Sequence, residues 1–273
     1  MKNKVSQVII YILLTVGALS MVLPFYWMLS TSLKTAGQAV AMPPVWFPDP
    51  AQWENYATAF TFAPFDTYLK NSLIVTSLTT LGEVFTSILA AFAFAKLKFW
   101  GKNVLFTFLI ATMMVPGELL IISNYVTISN LGWINTYLAL IVPWIASVFS
   151  MFVLKQNFES VSDALYYSAK IDGCSDWKFL WQVLVPMCRS AVITVVILKV
   201  IGSWNAFLWP LIVTNDTVMR TMPVGLQAFT TEAGTRFELL MAAASFVVLP
   251  MIIIYLLLQK HIIKGISNTG TKG

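Results

Sequence analysis

Charge is scarce in this chain. Of its 273 residues only 11% are Asp, Glu, Lys or Arg, while 58% are hydrophobic and the mean hydropathy is +0.77. A soluble domain carries roughly a quarter charged residues, so this composition excludes one and points to an all-α polytopic membrane protein. Histidine and cysteine are scarcer still, with one His and two Cys. A zinc site needs about four ligands, which these residues do not supply. His261, beside Lys260 near the C-terminus, reads as a solvated or headgroup-level side chain. There is no Gly-x-x-x-x-Gly-Lys-Ser/Thr loop, hence no phosphate cradle. Fixed-period repeats and low-complexity tracts are also missing, so residues 1–273 read as one membrane domain without an appended soluble one.

Six apolar runs are long enough to cross a hydrocarbon core, which takes roughly twenty residues. They lie near 8–29, 72–95, 104–123, 136–154, 191–213 and 239–258. The first lacks a small-residue cleavage site and is too long for a secretory apolar region, so it reads as a retained span that also directs insertion. With the N-terminus inside, the cytoplasmic segments hold Lys2, Lys4, Lys96, Lys98, Lys102, Lys155, Lys170, Lys178, Arg189, Lys260, Lys264 and Lys272. Outside there are only Lys34, Lys70, Arg220 and Arg236, and Lys199 stays within the membrane. That bias predicts both termini in the cytoplasm. The net charge of +5 is spread over separate inner segments, not gathered on one face, which argues against a nucleic-acid partner. Cys174 and Cys188 fall on the reducing side, so no disulfide is expected.

The outer loop through Pro43-Pro44, Trp46-Phe47-Pro48-Asp49-Pro50 and Trp53-Glu54-Asn55-Tyr56 is rich in prolines and aromatics, and is expected to lie folded at the headgroup level against membrane lipid. The alternative is a landing surface for an extracellular partner.

A compact polar island, residues 157–187, separates two apolar runs. Ser162 can cap a short helix running through Lys170 and Asp172, and Gly173 is placed to end it. Ser175 can cap a second helix with Asp176 in its first turn. There Trp177, Leu180, Trp181 and Leu184 form one apolar stripe at i, i+3, i+4 and i+7. Pro186 is tolerable as an early residue of the fifth span. Ser168, Ala169, Gly173 and Cys174 are small enough for another surface to approach the backbone. The island therefore predicts a helical hairpin on the cytoplasmic face, either a docking element or an amphipathic connector.

The island resembles the EAA loop of ABC importer permeases: Glu-Ala-Ala, three residues, Gly, nine residues, an aliphatic residue, any residue, Leu-Pro. Ala169, Asp172, Gly173 and Pro186 stand at matching positions. Tyr167, Ser168 and Val185 stand where that family usually has Glu, Ala and Leu. The likeness runs along nearly the whole chain and is to the carbohydrate-uptake, maltose-type branch. Further motifs fall in the same order: Leu23-Pro24-Phe25-Tyr26-Trp27, Asn71-Ser72-Leu73, Thr112-Met113-Met114-Val115-Pro116, Trp204-Asn205, Thr221-Met222-Pro223-Val224-Gly225-Leu226 and the closing Lys272-Gly273.

The resemblance implies a permease subunit of an ATP-driven sugar importer. It would pair with a second homologous permease subunit, rest on two cytoplasmic ATPase subunits and receive substrate from an extracellular sugar-binding protein. The chain itself is not expected to be an enzyme or to bind a cofactor, since ATP and Mg would belong to the ATPases. Tyr167, Ser168, Ala169, Asp172, Gly173, Pro186 and Lys272 are the implied ATPase-docking residues. An ion-coupled secondary transporter is expected to show inverted repeats or paired interrupted helices, and the sequence displays neither. A membrane enzyme would need a clustered acid, base or metal set, which the inner loops do not offer.

Trp204, Asn205, Glu83, Glu118 and Lys199 are candidates for the substrate path. An aromatic face can stack on a sugar ring and an amide can bind its hydroxyls, although interhelical packing would serve Trp204 and Asn205 equally well. Glu83 and Lys199 sit about midway along the second and fifth spans, at depths that allow a direct pair. The alternatives are that each lines the path alone or that Glu83 is neutral.

Overall fold

The computed structural model describes residues 4–231 and 234–267, with side chains through 256 except those of Val5 and Thr231. In chain order the helices are α1 (Lys4–Ser32), α2 (Ala36–Ala39), α3 (Glu54–Phe62), α4 (Phe65–Lys96), α5 (Lys102–Thr112), α6 (Ile121–Asn130), α7 (Tyr137–Ile141) and α8 (Val148–Glu159). They continue as α9 (Asp163–Ile171), α10 (Asp176–Phe179), α11 (Val185–Met187), α12 (Arg189–Trp204), α13 (Leu208–Val213), α14 (Met222–Gly225) and α15 (Phe237–Ser267). Two-residue strands pair antiparallel, Thr230 opposite Thr235 and Thr231 opposite Gly234.

Cα packing divides the chain into two compact units, residues 1–65 with 225–252 and residues 66–224 with 253–273. In the first, α1 is a bare apolar helix until its last turn, with Tyr11, Leu13 and Met21 two-thirds or more exposed. The proline-rich loop folds back on that last turn. Ser30 Oγ and Tyr26 OH both donate to the Trp46 carbonyl, at 2.6 and 2.9 Å, and Trp46 meets Trp27 edge to face. Asn55 Nδ2 caps the Ser32 and Lys34 carbonyls. Lys34 is fully buried with its ammonium 3.8 Å from the centre of the Trp27 ring, and burial pushes that ammonium below the usual lysine range. A ring cluster of Tyr56, Phe60, Phe62, Phe65, Phe229 and Phe246 joins α3 to α15.

In the second unit α4 is the central element. Asn71, near its start, accepts from Tyr137 OH at 2.6 Å and donates to the Val218 and Arg220 carbonyls, while Ser72 Oγ accepts from the Met222 N–H at 2.8 Å. The Asn71-Ser72 and Thr221-Met222 motifs, distant in sequence, are thus bonded to each other.

Ser6–Ser32, Phe65–Lys96, Tyr137–Glu159 and Phe237–Leu256 are each long and apolar enough to cross a membrane. Two more segments qualify only as bent pairs: Lys102–Thr112 with Gly117–Asn130, at 89°, and Asp176–Met187 with Arg189–Trp204, at 82°. The expectation of uninterrupted spans is therefore corrected in three places, and prolines explain each. Pro116 cannot donate to the Thr112 carbonyl and pushes Val115 out of helical conformation, so the third span breaks there. Pro143 interrupts the fourth between α7 and α8. Pro210, confined to the first turn of α13, interrupts the fifth after Trp204. Pro186 also belongs elsewhere than expected. It lies in α11, ahead of the 82° bend, and is not the opening of the fifth span. Interrupted helices are present after all, so their supposed absence no longer counts against a secondary transporter.

Candidate functional site

The polar island forms the expected hairpin. Ser162 Oγ caps α9 by accepting from the Ala164 N–H, and Ser175 Oγ caps α10 by accepting from the Lys178 N–H. At the C-terminus of α9 the Gly173 N–H bonds the Lys170 carbonyl and the Cys174 N–H bonds the Ala169 carbonyl, at 3.1 and 2.8 Å. With Gly173 at φ +76°, these two bonds make a Schellman motif that satisfies the last carbonyls of the helix. Asp176 then locks the turn. Its Oδ1 lies 2.6 Å from Lys170 Nζ and accepts from Tyr166 OH at 2.6 Å, tying both helices together. Burial first, and this bond second, push the Tyr166 hydroxyl up to about 12. Beneath the turn Tyr166 packs against Phe92 and Phe179, with Leu180 and Leu184 fully buried.

Lys96, at the end of α4, anchors the hairpin's other end. Its buried ammonium donates to the Val161 carbonyl at 2.6 Å and to Asp163 Oδ1 at 2.7 Å, and that hydrogen bond holds the Asp163 carboxyl below the usual carboxylate range. Before Pro186, residues Leu180–Leu184 widen into a π turn in which the Val185 N–H reaches the Leu180 carbonyl.

Of the implied docking residues, Tyr167, Ser168, Asp172, Gly173 and Pro186 are exposed on this hairpin. Ala169 is half-buried and packs inward with Cys174, so those two small residues serve the hairpin's own core and not an outer approach. Lys272 lies outside the described residues. Trp177 departs from the predicted stripe in standing 58% exposed, although its ring still meets Trp181 edge to face; Leu165, Tyr167 and Ile171 of α9 are exposed apolar side chains as well.

The second constellation lies within the spans. Glu83, in α4, and Lys199, in α12, meet at 2.6 Å through Oε2 and Nζ, with side chains 6% and 14% exposed. Ser150 Oγ donates to the other carboxylate oxygen at 2.6 Å, and Lys199 Nζ also donates to the Trp144 carbonyl at 3.0 Å. The broken fourth span explains that last contact. Because α8 starts anew at the Ser147 cap, the carbonyls of Trp144 and Ile145 lack their helical partners. Lys199 takes the first and Thr86 Oγ1 the second, at 2.6 Å. One turn earlier, Pro143 cannot serve the Ala139 carbonyl, and Trp209 Nε1 bonds it instead at 2.9 Å. The break in the fourth span is thus stitched by side chains from other helices.

Close approach makes the stitching possible. A Cβ added to Gly82 would lie 2.9 Å from Ile145 Cγ2 and 3.0 Å from Ile145 Cβ. Gly82→Ala is therefore expected to push the break away from α4 and cost about 1–3 kcal/mol, read as a lower unfolding temperature of the detergent-purified protein. An unchanged temperature would contradict this tight fit.

All three breaks open onto one cavity of about 420 Å³. Glu118, just after the first break, Trp144 at the second and Phe207 at the third line it, with Asn124, Lys199 and Ser203. Of the candidates for a path, Glu118 and Lys199 line this cavity, whereas Glu83 stands outside the lining and Trp204, 1% exposed, is packed away from it. Asn205 ends α12 exposed and also stands outside the lining. The residues that sequence reasoning missed are Asp176 as a clamp, Ser150 and Trp209. Only Trp209 left a trace, as an indole donor among spans containing prolines.

A family model described as "Binding-protein-dependent transport system inner membrane component" matches residues 83–268. The chain is 27% identical over 267 residues to the sn-glycerol-3-phosphate transport system permease protein UgpE of Yersinia pestis bv. Antiqua, covering 95% of each. It is 31% identical over 255 residues to the arabinooligosaccharides transport system permease protein AraQ of Bacillus subtilis, covering 92% of this chain and 90% of that one. Among solved structures, a chain of a bacterial ABC transporter involved in the import of the acidic polysaccharide alginate matches with a TM-score of 0.84 at 20% identity, over 94% of this chain and 96% of that one, a likeness of fold. Apolar spans, a capped hairpin and a matched family model converge: this multi-pass membrane chain belongs to the binding-protein-dependent transport system inner membrane components.

Proposed function

We propose that the chain is the permease subunit of an ATP-driven importer that moves a sugar or oligosaccharide into the cytoplasm, residues 1–273 acting as one transmembrane domain. The observation that carries this reading is the exposed, doubly anchored hairpin at 162–187, built at the spacing of an ATPase-docking loop. An arabinooligosaccharide permease among its relatives supports a carbohydrate as cargo. In this reading Tyr167, Ser168, Asp172, Gly173 and Pro186 face one of two cytoplasmic ATPase subunits, which hold ATP and Mg and do the hydrolysis. A second homologous permease completes the path, and an extracellular binding protein delivers the substrate. A solved alginate transporter in complex with its oligosaccharide-bound periplasmic protein is a parallel for that delivery.

The hairpin is bonded at both ends, so ATP-driven closure below it would move it as a rigid body and turn the cavity lined by Glu118 and Lys199 outward. Both termini lie in the cytoplasm in this reading. Reconstituted uptake should require the ATPase and the binding protein together. Uptake that continues without any ATPase and follows an ion gradient would overturn the proposal in favour of a secondary transporter.

A further inference from the structure

We propose that the loop joining α4 to α5 holds an anionic diacyl phospholipid. Beside the hairpin, residues 98–105 and Phe108 line a groove of about 810 Å³, and a recess of about 370 Å³ shares Asn103, Val104 and Phe108 with it and continues to Ala111. The two ends differ in chemistry. At the loop end stand Lys98, Lys102 and Trp100, the last 99% exposed. Along α5 stand Val104, Leu105 and Phe108, exposed by 62%, 49% and 69%. Lys102 to Ala111 spans about 13 Å at 1.5 Å per residue, enough for the upper half of an acyl chain.

Charge favours an anion at the loop end. Asp163 is the carboxylate beside these cations, and it is bonded to Lys96. Lys102 Nζ rests on the Leu97 carbonyl at 3.1 Å and Lys98 Nζ lies 5.8 Å from the centre of the Tyr167 ring, so both cations keep donors for a ligand. A fully exposed Trp at a span's end is a headgroup-level anchor, and basic residues there attract anionic lipid. A free phosphate would use the lysines but not the apolar recess. Assigning the lipid to the inner leaflet rests on the orientation proposed above, whereas binding itself does not.

The test uses the full chain, purified with its co-purifying subunits from bilayers of equal phosphatidylglycerol and phosphatidylcholine. Lipid retained by the protein is measured by mass spectrometry. Phosphatidylglycerol should be enriched on the order of tenfold. Lys98→Gln with Lys102→Gln should abolish the enrichment, and Phe108→Asn should reduce it. Lys98→Gln alone, on an exposed side chain, decides the matter if the double variant expresses poorly. Equal retention of the two lipids, or enrichment that survives loss of both lysines, would overturn the proposal. So would displacement of the lipid by inorganic phosphate, which would mark a free-anion site. Labelling Asn103→Cys with an impermeant maleimide in oriented membranes reports sidedness separately, so an error in orientation is distinguishable from absence of the site.

Discussion

Lys199→Met is expected to leave the protein poorly assembled and nearly inactive in transport. The substitution strands Glu83, whose carboxylate is 6% exposed and keeps Ser150 as its remaining side-chain partner, and it also frees the Trp144 carbonyl at the break in the fourth span. Removing one partner of a buried pair costs about 3–5 kcal/mol, whereas removing both can be close to neutral. Adding Glu83→Gln should therefore restore much of the loss, since Gln can still accept from Ser150. Monodispersity of the purified complex, its unfolding temperature and its uptake rate would all report this. A double variant no better than Lys199→Met would mean that the pair is not what Lys199 is there for.

Gly173→Val should uncouple ATP hydrolysis from transport while the protein still inserts and assembles. At φ +76° a β-branched residue is strained by about 1–2 kcal/mol. A Cβ at this position meets nothing within 4 Å, so the effect would come from the backbone and not from a clash. The strain falls on the Schellman turn that sets the angle between α9 and α10. Substrate-stimulated ATPase activity is expected to fall about tenfold, in line with that strain. Gly173→Asn, which tolerates the left-handed region, should retain most of the activity. Equal losses in Val and Asn would show that the small side chain matters and not the turn geometry.

Much of this architecture was legible because local chemistry determines it. Ser162, Gly173 and Ser175 act on backbone groups within a few residues, so their roles as caps and stop follow from residue type and spacing. The six apolar runs are read the same way. The broken helices were not legible from length and hydropathy, because a run such as 104–123 stays apolar through Pro116 while its backbone turns by 89°. Trp204 and Asn205 show a second limit. Both are chemically suited to a sugar, but whether a side chain on α12 faces a cavity or a neighbour depends on rotation about the helix axis, and most positions of that helix are apolar. The Glu83–Lys199 pair was an open alternative on depth alone. Its partners Ser150 and the Trp144 carbonyl come from the fourth span, whose register against the other two no local signal reveals.

The indole of Trp209 on the Ala139 carbonyl has an evolutionary consequence. Pro143 leaves that carbonyl vacant, and Trp209 occupies it from 70 positions further along the chain. A relative that replaces Pro143 with an ordinary residue can recapture the carbonyl with its own N–H, and its position 209 is then released from the need for a donor. A relative that loses the indole but keeps the proline inherits an unsatisfied acceptor inside the bilayer. The two sites are therefore expected to change together across the family, with a donor kept at position 209 wherever position 143 is proline.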